Sequence, residues 1–206
     1  ISAIGMVADN SVKSLALDAY GNLIIGTDNG LYIYDGHDGK HFVHDSRNPE
    51  TISNDIVWGV FVDREHNLWL GTEYDISLAR NDRDKRTVPI AELTGKGEGN
   101  RFYAIFKDSH KYLWLGGTNG LIRYDGRSGK SVSYKMSDKM NPIPHNRIRD
   151  IYEDREKGLW VATDGSIIRY DYAKSQFDKY LITDPSHSIN ANWSYSIFED
   201  RSGKMW

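Results

Sequence analysis

The sequence lacks cysteine, long apolar runs and clusters of one charge. With no cysteine, disulfides, thiol catalysis and cysteine-based zinc sites are excluded. No apolar stretch approaches the roughly 18 residues that a membrane-spanning helix needs, and no signal-peptide pattern follows Ile1. Lysine and arginine never stand more than two in a row, and the formal net charge is −3. We therefore expect these 206 residues to bind no nucleic acid and to meet a membrane only through segments outside them.

The groupings of residues that carry enzyme chemistry are also missing. No Gly-x-Ser-x-Gly elbow occurs, and no serine has a plausible histidine and aspartate partner. The seven histidines form no spaced pair typical of a metal site. The glycine-rich stretch at 94–99 lacks the glycine spacing of a nucleotide-binding loop, and no helix pattern follows it. We predict no catalytic residues, no metal and no cofactor for this segment.

What the sequence does contain is a repeat. Five strand-like runs each end in an aspartate, and the steps between them are 45, 45, 46 and 46 residues: Asp18, Asp63, Asp108, Asp154 and Asp200. A polar turn follows each aspartate, and a second strand-like run begins after the turn. Self-similarity at a fixed period indicates modules that bury their faces against their neighbours.

Each module contains about four short strands. Runs such as GLYIYD, GLIRYD and SIIRYD follow Asn-Gly or Asp-Gly turns, which favour tight antiparallel hairpins, and a weaker fourth run follows each of them. Four antiparallel strands in roughly 45 residues are typical of a β-propeller blade. We predict an all-β fold, a propeller segment of four full blades and part of a fifth. The predicted repeats cover about 10–54, 55–99, 100–145, 146–191 and 192–206.

The second run of each module predicts the core. It is apolar at successive positions, as expected for a strand that neighbouring blades cover on both faces. Four tryptophans occupy the same position in it and are expected to be core residues: Trp69, Trp114, Trp160 and Trp206. Ile24 fills that position in the first module. The recurring aspartates are interpreted as structural, accepting backbone N–H groups in the turn that follows each of them.

Two features depart from a regular array. After Thr72 the second module has no Asn-Gly-Leu hairpin, which puts its third and fourth strands in doubt. This irregular stretch is either an inserted binding loop or drift in a tolerant outer edge. The last module stops at Trp206, in register with Trp160. We therefore expect a piece of a larger propeller that forms an open arc or a strained small ring.

The linked pattern from Glu153 to Asp171, with a strand ending Glu-Asp-Arg, a turn, Leu-Trp-Val-Ala-Thr and a hairpin, resembles the two-component regulator propeller repeat. Residues 63–72 and 108–125 carry the pattern too. The resemblance implies the periplasmic sensor region of a hybrid two-component histidine kinase, in which a seven-bladed propeller precedes a membrane helix and a cytoplasmic kinase. It also implies an inner-membrane receptor that responds to oligosaccharides and regulates polysaccharide utilisation genes.

The candidate ligand site lies where the chain enters the innermost strand of each blade. Equivalent positions there differ between modules, as expected where packing does not fix the residue. Aromatic faces stack on sugar C–H surfaces, and arginine can bond hydroxyl groups. The candidates are Trp58, Arg101, Tyr103, Arg147, Arg149, Trp193 and Tyr195. The alternative is that some of these side chains fill the central channel.

Two functions from different classes remain open. In the first, the segment is a non-catalytic ligand sensor whose ligand is an oligosaccharide and whose other partners are further blades or domains of the same chain. In the second, the propeller binds no small molecule and is a protein–protein interaction or homodimerisation scaffold.

Overall fold

The computed structural model describes residues 11–48, 50–73, 75–79, 100–180 and 193–206. Two compact units, Ile1–Ile105 and Phe106–Trp206, divide the chain within the strand Phe102–Lys107. Every regular element among the described residues is a β-strand, and all strand pairing is antiparallel between consecutive strands. The predicted all-β architecture of antiparallel blades is therefore confirmed. The repeat boundaries and the number of blades in the whole protein stay predictions.

The first unit contains two sheets. The first sheet has the order β1 to β4, formed by Val12–Leu17, Leu23–Thr27, Gly30–Tyr34 and Gly39–Phe42. The second has three strands, β5 to β7, formed by Val57–Val62, Leu68–Thr72 and Ile76–Ala79. The irregular second module therefore keeps its third strand, while residues 80–99, where a fourth was in doubt, lie outside the described residues.

The other sheets have four strands each. β8 to β11 are Phe102–Lys107, Tyr112–Gly117, Gly120–Asp125 and Lys130–Tyr134. β12 to β15 are Ile148–Glu153, Leu159–Thr163, Ile167–Asp171 and Gln176–Tyr180. Beyond them, Glu199 and Met205 form a single antiparallel bridge that begins a fifth module.

The recurring aspartates organise the first hairpin of each module. The Asp63 Oδ1 atom accepts backbone N–H groups of Glu65 at 3.0 Å and Asn67 at 2.9 Å, and Asp63 Oδ2 accepts the Trp69 indole N–H at 3.0 Å. The predicted role in the turn is confirmed, and the link to tryptophan is an addition. The indole bond recurs three times, from Trp114 to Asp108 at 2.7 Å, Trp160 to Asp154 at 2.7 Å and Trp206 to Asp200 at 2.8 Å.

The first module has no tryptophan at this position, and an asparagine side chain donates to its aspartate instead. The Asn22 Nδ2 amide donates to Asp18 Oδ2 at 2.7 Å, while the Asn22 backbone N–H donates to Asp18 Oδ1 at 2.8 Å. The turn is therefore conserved in geometry although Ile24 replaces the indole. The position of the aspartate, and not the identity of its second donor, is what the hairpin requires.

The four predicted core tryptophans differ in burial. Trp114 is fully buried, and Trp69 and Trp160 are half-buried. Trp206, the last residue, is 58% exposed, and its place in the core stays a prediction. Phe198 and Trp206 exchange backbone hydrogen bonds of 3.1 and 2.8 Å.

Consecutive sheets approach closely at glycines of the second strand. In the first unit β2 packs on β5, and in the second unit β9 packs on β12. A Cβ atom at Gly71 would overlap the backbone oxygen of Phe102, and one at Gly116 would overlap the side chain of Ile148. Ala162 occupies the corresponding position of the next module and is fully buried. These contacts fix where the entrance to the following first strand lies.

Candidate ligand-binding site

Two of the predicted ligand residues, Trp58 and Arg149, lie at β-bulges, and Lys13 lies at a third. The pairing register of the first hairpin shifts between Val12 and Ser14, between Val57 and Gly59, and between Ile148 and Asp150. The residue within each shift is therefore Lys13, Trp58 or Arg149. Bulges release a side chain from the regular pleat and are common beside functional sites. The same backbone irregularity thus presents a different side chain in each module.

A carboxylate pairs with each of these bulge residues. It follows directly on the threonine that ends the second strand, as Asp28, Glu73 or Asp164. Lys13 Nζ lies 3.1 Å from Asp28 Oδ2, the Trp58 indole N–H donates to Glu73 Oε2 at 2.6 Å, and Arg149 Nε donates to Asp164 Oδ1 at 2.7 Å. In each case the two residues are 15 apart in sequence. The acid therefore holds the bulged side chain in place.

These three acids were missed in the sequence-based prediction. Alignment of the modules contains a signal for them, because an acid follows the strand-ending threonine at Thr27, Thr72 and Thr163. The third module has Thr118 in the equivalent place. A carboxylate repeated beside a variable position indicates a partner for whatever side chain occupies that position.

In the first unit the acid gathers a cluster around Trp58. The Tyr103 ring meets the Trp58 ring edge-on, with 5.4 Å between centroids and an interplanar angle of 88°. The Arg101 guanidinium lies 5.4 Å from the Trp58 ring centroid, and its Nε donates to Glu73 Oε1 at 2.8 Å. Lys13 Nζ lies 4.9 Å from the same indole. Three of the predicted residues, Trp58, Arg101 and Tyr103, are therefore brought together.

Charge pairing sets the electrostatics of this cluster. The pKa of Arg101 is raised, mainly by its hydrogen bond with Glu73. A hydrogen bond from the Ser11 hydroxyl, followed by the hydrogen bond and charge of Lys13, lowers the pKa of Asp28, while desolvation opposes this shift. Ser11 also accepts a hydrogen bond from Lys13 Nζ at 3.1 Å. The cluster thus presents an aromatic face among paired donors and acceptors.

The second unit holds a related cluster around Asp164, whose side chain is only 8% exposed. Arg149 binds it through two atoms, with Nε to Oδ1 at 2.7 Å and Nη2 to Oδ2 at 3.2 Å. Arg147 Nη1 lies 3.5 Å from Asp164 Oδ2. The Arg149 guanidinium also lies 5.1 Å from the ring centroid of Tyr195, which is 64% exposed.

The predicted candidates therefore fall into two groups. Trp58, Arg101 and Tyr103 form the first, and Arg147, Arg149 and Tyr195 the second. Trp193 lies two residues before Tyr195 and is about half exposed. That these residues bind a ligand stays a prediction.

The chemistry available to both groups is recognition through stacking and hydrogen bonds. Each group combines an aromatic ring with a guanidinium and a carboxylate, the groups that bond hydroxyl-rich molecules. Across the part of the chain that the structure describes, no cluster of three or more histidine, aspartate or glutamate side chains could hold a metal ion. The same residues include no helix suited to crossing a bilayer.

Comparison with known proteins places the repeat in a family. The model of the two component regulator propeller family matches residues 51–74, 96–119 and 142–165. Each match begins before a first strand and ends two residues past a second strand. The matched segments therefore contain the aspartate turn and the following tryptophan, and two of them contain a bulge. The comparison with curated proteins gives no match.

Three solved structures illustrate the likeness. The extracellular domain of a protein assigned as a hybrid two component system of B. thetaiotaomicron is 52% identical, with a TM-score of 0.53 over 95% of this chain and 27% of that one. A second such extracellular domain from the same organism is 22% identical, with a TM-score of 0.73 over 94% and 26% of the two chains. Virginiamycin B lyase from Staphylococcus aureus is 13% identical, with a TM-score of 0.71 over 97% and 64%.

These likenesses carry different weight. At 22% and 13% identity the last two structures show the shared fold alone. The first structure is identical to this chain at more than half of the aligned residues. This chain spans about a quarter of the length of that protein. Sequence, strand pairing and family match agree, and the chain is a β-propeller segment that contains three two component regulator propeller repeats.

Proposed function

We propose that this segment is a non-catalytic, ligand-sensing part of the periplasmic region of a two-component receptor, and that its ligand is an oligosaccharide. The observation that carries the proposal is the bulged entrance residue, which recurs in three modules with a different side chain and the same acidic partner. A scaffold with constant packing and variable entrance residues is suited to recognition, because the side chains can change without loss of the fold.

The geometry around Trp58 supports a sugar in particular. The indole is half-buried and its N–H is bonded to Glu73, so the ring is fixed before a ligand arrives and little side-chain entropy is lost on binding. Arg101 and Glu73 flank the ring with groups that bond hydroxyls. A rigid aromatic face bordered by such groups is the arrangement that carbohydrate recognition needs.

Relatives support a receptor role for the whole protein. The 52% identical structure is the extracellular domain of a protein assigned to a signalling system, and the matched family is named for two-component regulators. In a receptor of this kind, a ligand that prefers one packing arrangement of the propeller shifts the population toward it, and a kinase in the same chain reads the shift. The membrane helix and the kinase belong to other parts of that chain.

Calorimetric titration of the complete periplasmic region against a panel of oligosaccharides tests the proposal. We expect at least one oligosaccharide to bind and Trp58→Ala to weaken it about tenfold or more, since stacking on an aromatic anchor is worth roughly 1.5 kcal/mol. Tyr20→Ala is the matched control, because Tyr20 is an exposed aromatic residue that follows the other end of a first strand. Absence of binding across the panel, or equal losses in the two variants, contradicts the proposal.

A second function, docking of another protein or a second copy, is favoured by one observation. Trp193, Tyr195, Phe198 and Trp206 are each about half exposed or more, and exposed aromatic groups mark interaction surfaces. A mass that rises with protein concentration and falls when Phe198 and Trp206 are replaced by serine would support docking over ligand sensing. An unchanged monomer mass would count against it.

A further inference from the structure

The two sheets of the first unit enclose a cavity of about 550 Å³. Ile24, Leu31 and Ile33 of the first sheet line one side, and Leu68, Leu70 and Leu78 of the second sheet line the other. This volume lies within the range of roughly 300 to 1,000 Å³ typical of small-molecule sites, and such sites are mostly apolar. The cavity is therefore large enough for a ligand and apolar in its interior.

The cavity has a cause in the repeat pattern. In the second unit the corresponding space is filled by aromatic side chains: Trp114 packs on Tyr170 at 4.9 Å between ring centroids and on Tyr134 at 6.1 Å. The first unit has Ile24 at the register position of Trp114. Ala79 stands at the register position of Tyr170, since they pair with Leu68 and Leu159 respectively. The side chain of Ile24 is smaller than an indole, so part of the space stays open in the first unit.

The mouth of the cavity carries polar side chains that the fold does not use. Tyr20, Glu50 and His66 line it. Among the described residues, no hydrogen bond or ion pair engages the Tyr20 hydroxyl, the Glu50 carboxylate or the His66 ring. By contrast, the nearby Asp18 carboxylate is occupied by the turn, with three donors between 2.7 and 2.9 Å. Glu50 therefore supplies the negative charge that is available to a ligand.

We infer that this cavity is a second binding site, and that it takes an amphipathic amine with an apolar body and an ammonium head. The apolar body displaces water from the aliphatic chamber, and burial of its surface supplies the affinity. The ammonium group pairs with the Glu50 carboxylate in a charge-assisted hydrogen bond, with Tyr20 and His66 as neighbouring polar groups. A ligand with a carboxylate head would place two negative charges together.

This site is separate from the proposed oligosaccharide site. Lys13 lies at the start of β1 and Tyr20 follows its end, and a strand of six residues is roughly 17 Å long. Trp58 and Glu73 do not line the cavity. Binding of an amine here does not depend on the proposed oligosaccharide function, and either proposal can fail without the other.

A series of probes with one body and three heads tests the assignment. Phenylbutylamine, phenylbutanol and phenylbutyrate share a phenyl group and a short alkyl chain and carry a cationic, a neutral and an anionic head group, respectively. We expect phenylbutylamine to bind the complete periplasmic region about tenfold more tightly than phenylbutanol, and phenylbutyrate to bind most weakly, as measured by NMR chemical-shift titration. If none of the three binds at millimolar concentration, there is no ligand site; if all three bind equally, the assigned ligand class is wrong.

Two variants locate the binding. Ile24→Trp introduces the side chain that fills the equivalent space in the second unit, and we expect it to abolish phenylbutylamine binding while oligosaccharide titration is unchanged. Glu50→Gln keeps the shape of the mouth and removes the charge, and it is expected to weaken phenylbutylamine about tenfold and phenylbutanol less than about twofold.

The second variant keeps the proposal testable if Ile24→Trp does not fold, because Glu50 follows an exposed turn. Glu65→Gln is the matched control, since Glu65 is an exposed acid in a neighbouring turn that does not line the cavity. Equal affinity of wild type and Glu50→Gln for phenylbutylamine would overturn the assignment of the head group. Full affinity in a folded Ile24→Trp variant would place the amine elsewhere.

Discussion

The two units of the chain pack their sheets in different ways on the same strand plan. In the second unit, Trp114, Tyr134, Tyr170 and Phe177 form a continuous aromatic contact, and the Arg123 guanidinium donates to the Tyr170 hydroxyl. In the first unit, the buried residues of the core cluster are aliphatic, and a cavity remains. The side chain at this position of the repeat, Ile24 or Trp114, therefore does not determine the blade.

The two units agree in what does determine the blade. Each first hairpin turns on an aspartate that accepts backbone N–H groups. Three of the first strands carry a bulge at their entrance, and glycine allows close approach of the next sheet in both units. These features constrain the backbone, where geometry leaves little freedom. Side chains between sheets need only fill volume, and cores tolerate variation in how that is done.

The largest effect on stability is expected from a substitution that disrupts the aromatic packing of the second unit. Trp114→Ile removes a fully buried indole and the donor that it provides to Asp108, itself 2% exposed. We expect the free energy of unfolding to fall by about 3 to 5 kcal/mol, from lost burial and a weakened bond to a buried carboxylate. Urea unfolding measures the change.

Trp206→Ile is the matched control for that substitution. It changes the same repeat position and removes the same kind of indole bond, but Trp206 is 58% exposed. We expect a loss of about 1 kcal/mol or less. Equal losses at the two positions would mean that the indole bond, and not the aromatic packing, accounts for the loss at Trp114.

A smaller effect tests a feature that the units share. Gly71→Ala and Gly116→Ala each introduce a methyl group into a closely packed approach between sheets, and we expect losses of about 1 to 3 kcal/mol in thermal unfolding. The loss at Gly71 is expected to be the larger, because its neighbour is the backbone oxygen of Phe102, whereas the Ile148 side chain can adjust.

Gly126→Ala is the control, since a Cβ there lies 3.7 Å from Tyr124 Cε1 in ordinary contact. It is expected to change stability by less than about 0.5 kcal/mol. If Gly126→Ala is as damaging as the other two, close approach is not what the glycines provide.

The aspartate turns differ in the third residue after the aspartate, and a substitution there is expected to have a smaller effect on stability. The third residue after the aspartate has a positive φ in every module; it is Gly21 in the first, where φ is 83°, and Lys157 in the fourth, where φ is 66°. A non-glycine residue in this conformation is strained by roughly 1 to 2 kcal/mol. Replacement by glycine removes the strain, but the larger conformational entropy that glycine loses on folding offsets part of this gain.

We therefore expect Lys157→Gly to stabilise the protein by about 0.5 kcal/mol and Gly21→Ala to destabilise it by about 1 kcal/mol, measured as shifts in the unfolding midpoint. Opposite signs for the two substitutions are the essential result. A destabilised Lys157→Gly variant would mean that the lysine side chain makes a contribution that outweighs the backbone strain.

The smallest effect concerns the charge pair at the entrance of the first module. The Ser11 hydroxyl is the largest cause of the lowered pKa of Asp28, so Ser11→Ala should raise that pKa toward the ordinary aspartate value. NMR titration of the Asp28 carboxyl measures it. Because the folded pKa is depressed, the stabilisation from this carboxylate is present above the unfolded value of about 3.9 and is lost as the pH falls through the folded pKa.

Asp35 is the internal control in the same titration. Backbone N–H groups of Asp38 and His37 lower its pKa, and Ser11→Ala leaves them untouched. A shift at Asp35 as large as the one at Asp28 would indicate a general change in the sheet and not the loss of one hydrogen bond.

Much of the blade could be predicted from the sequence, because its determinants are local and repeated. The evenly spaced aspartates predicted the turn, and the Asn-Gly and Asp-Gly turns predicted antiparallel pairing of consecutive strands. The burial of the indoles differs, from the fully buried Trp114 to the half-buried Trp69 and Trp160. Their common register does not predict this difference, because burial depends on what covers each position.

The candidate site was less accessible to sequence reasoning. A bulge at Lys13, Trp58 or Arg149 has no distinct local sequence signal, since it arises from how two strands pair. The acids Asp28, Glu73 and Asp164 occupy one column of the repeat and could have been found there. The sequence also contains a signal for the cavity, because Ile24 stands where the other modules have tryptophan. The volume of the cavity could not be predicted, because it depends on side chains from two sheets.

A crystal structure of the complete propeller with a bound oligosaccharide shows whether the bulged entrance residues bind the ligand. We predict that a sugar ring stacks on Trp58 or Tyr195, with its hydroxyl groups bonded to Glu73 and Arg101 or to Arg149. A sugar bound at the aspartate turns, at the opposite end of the first strands, would contradict the account.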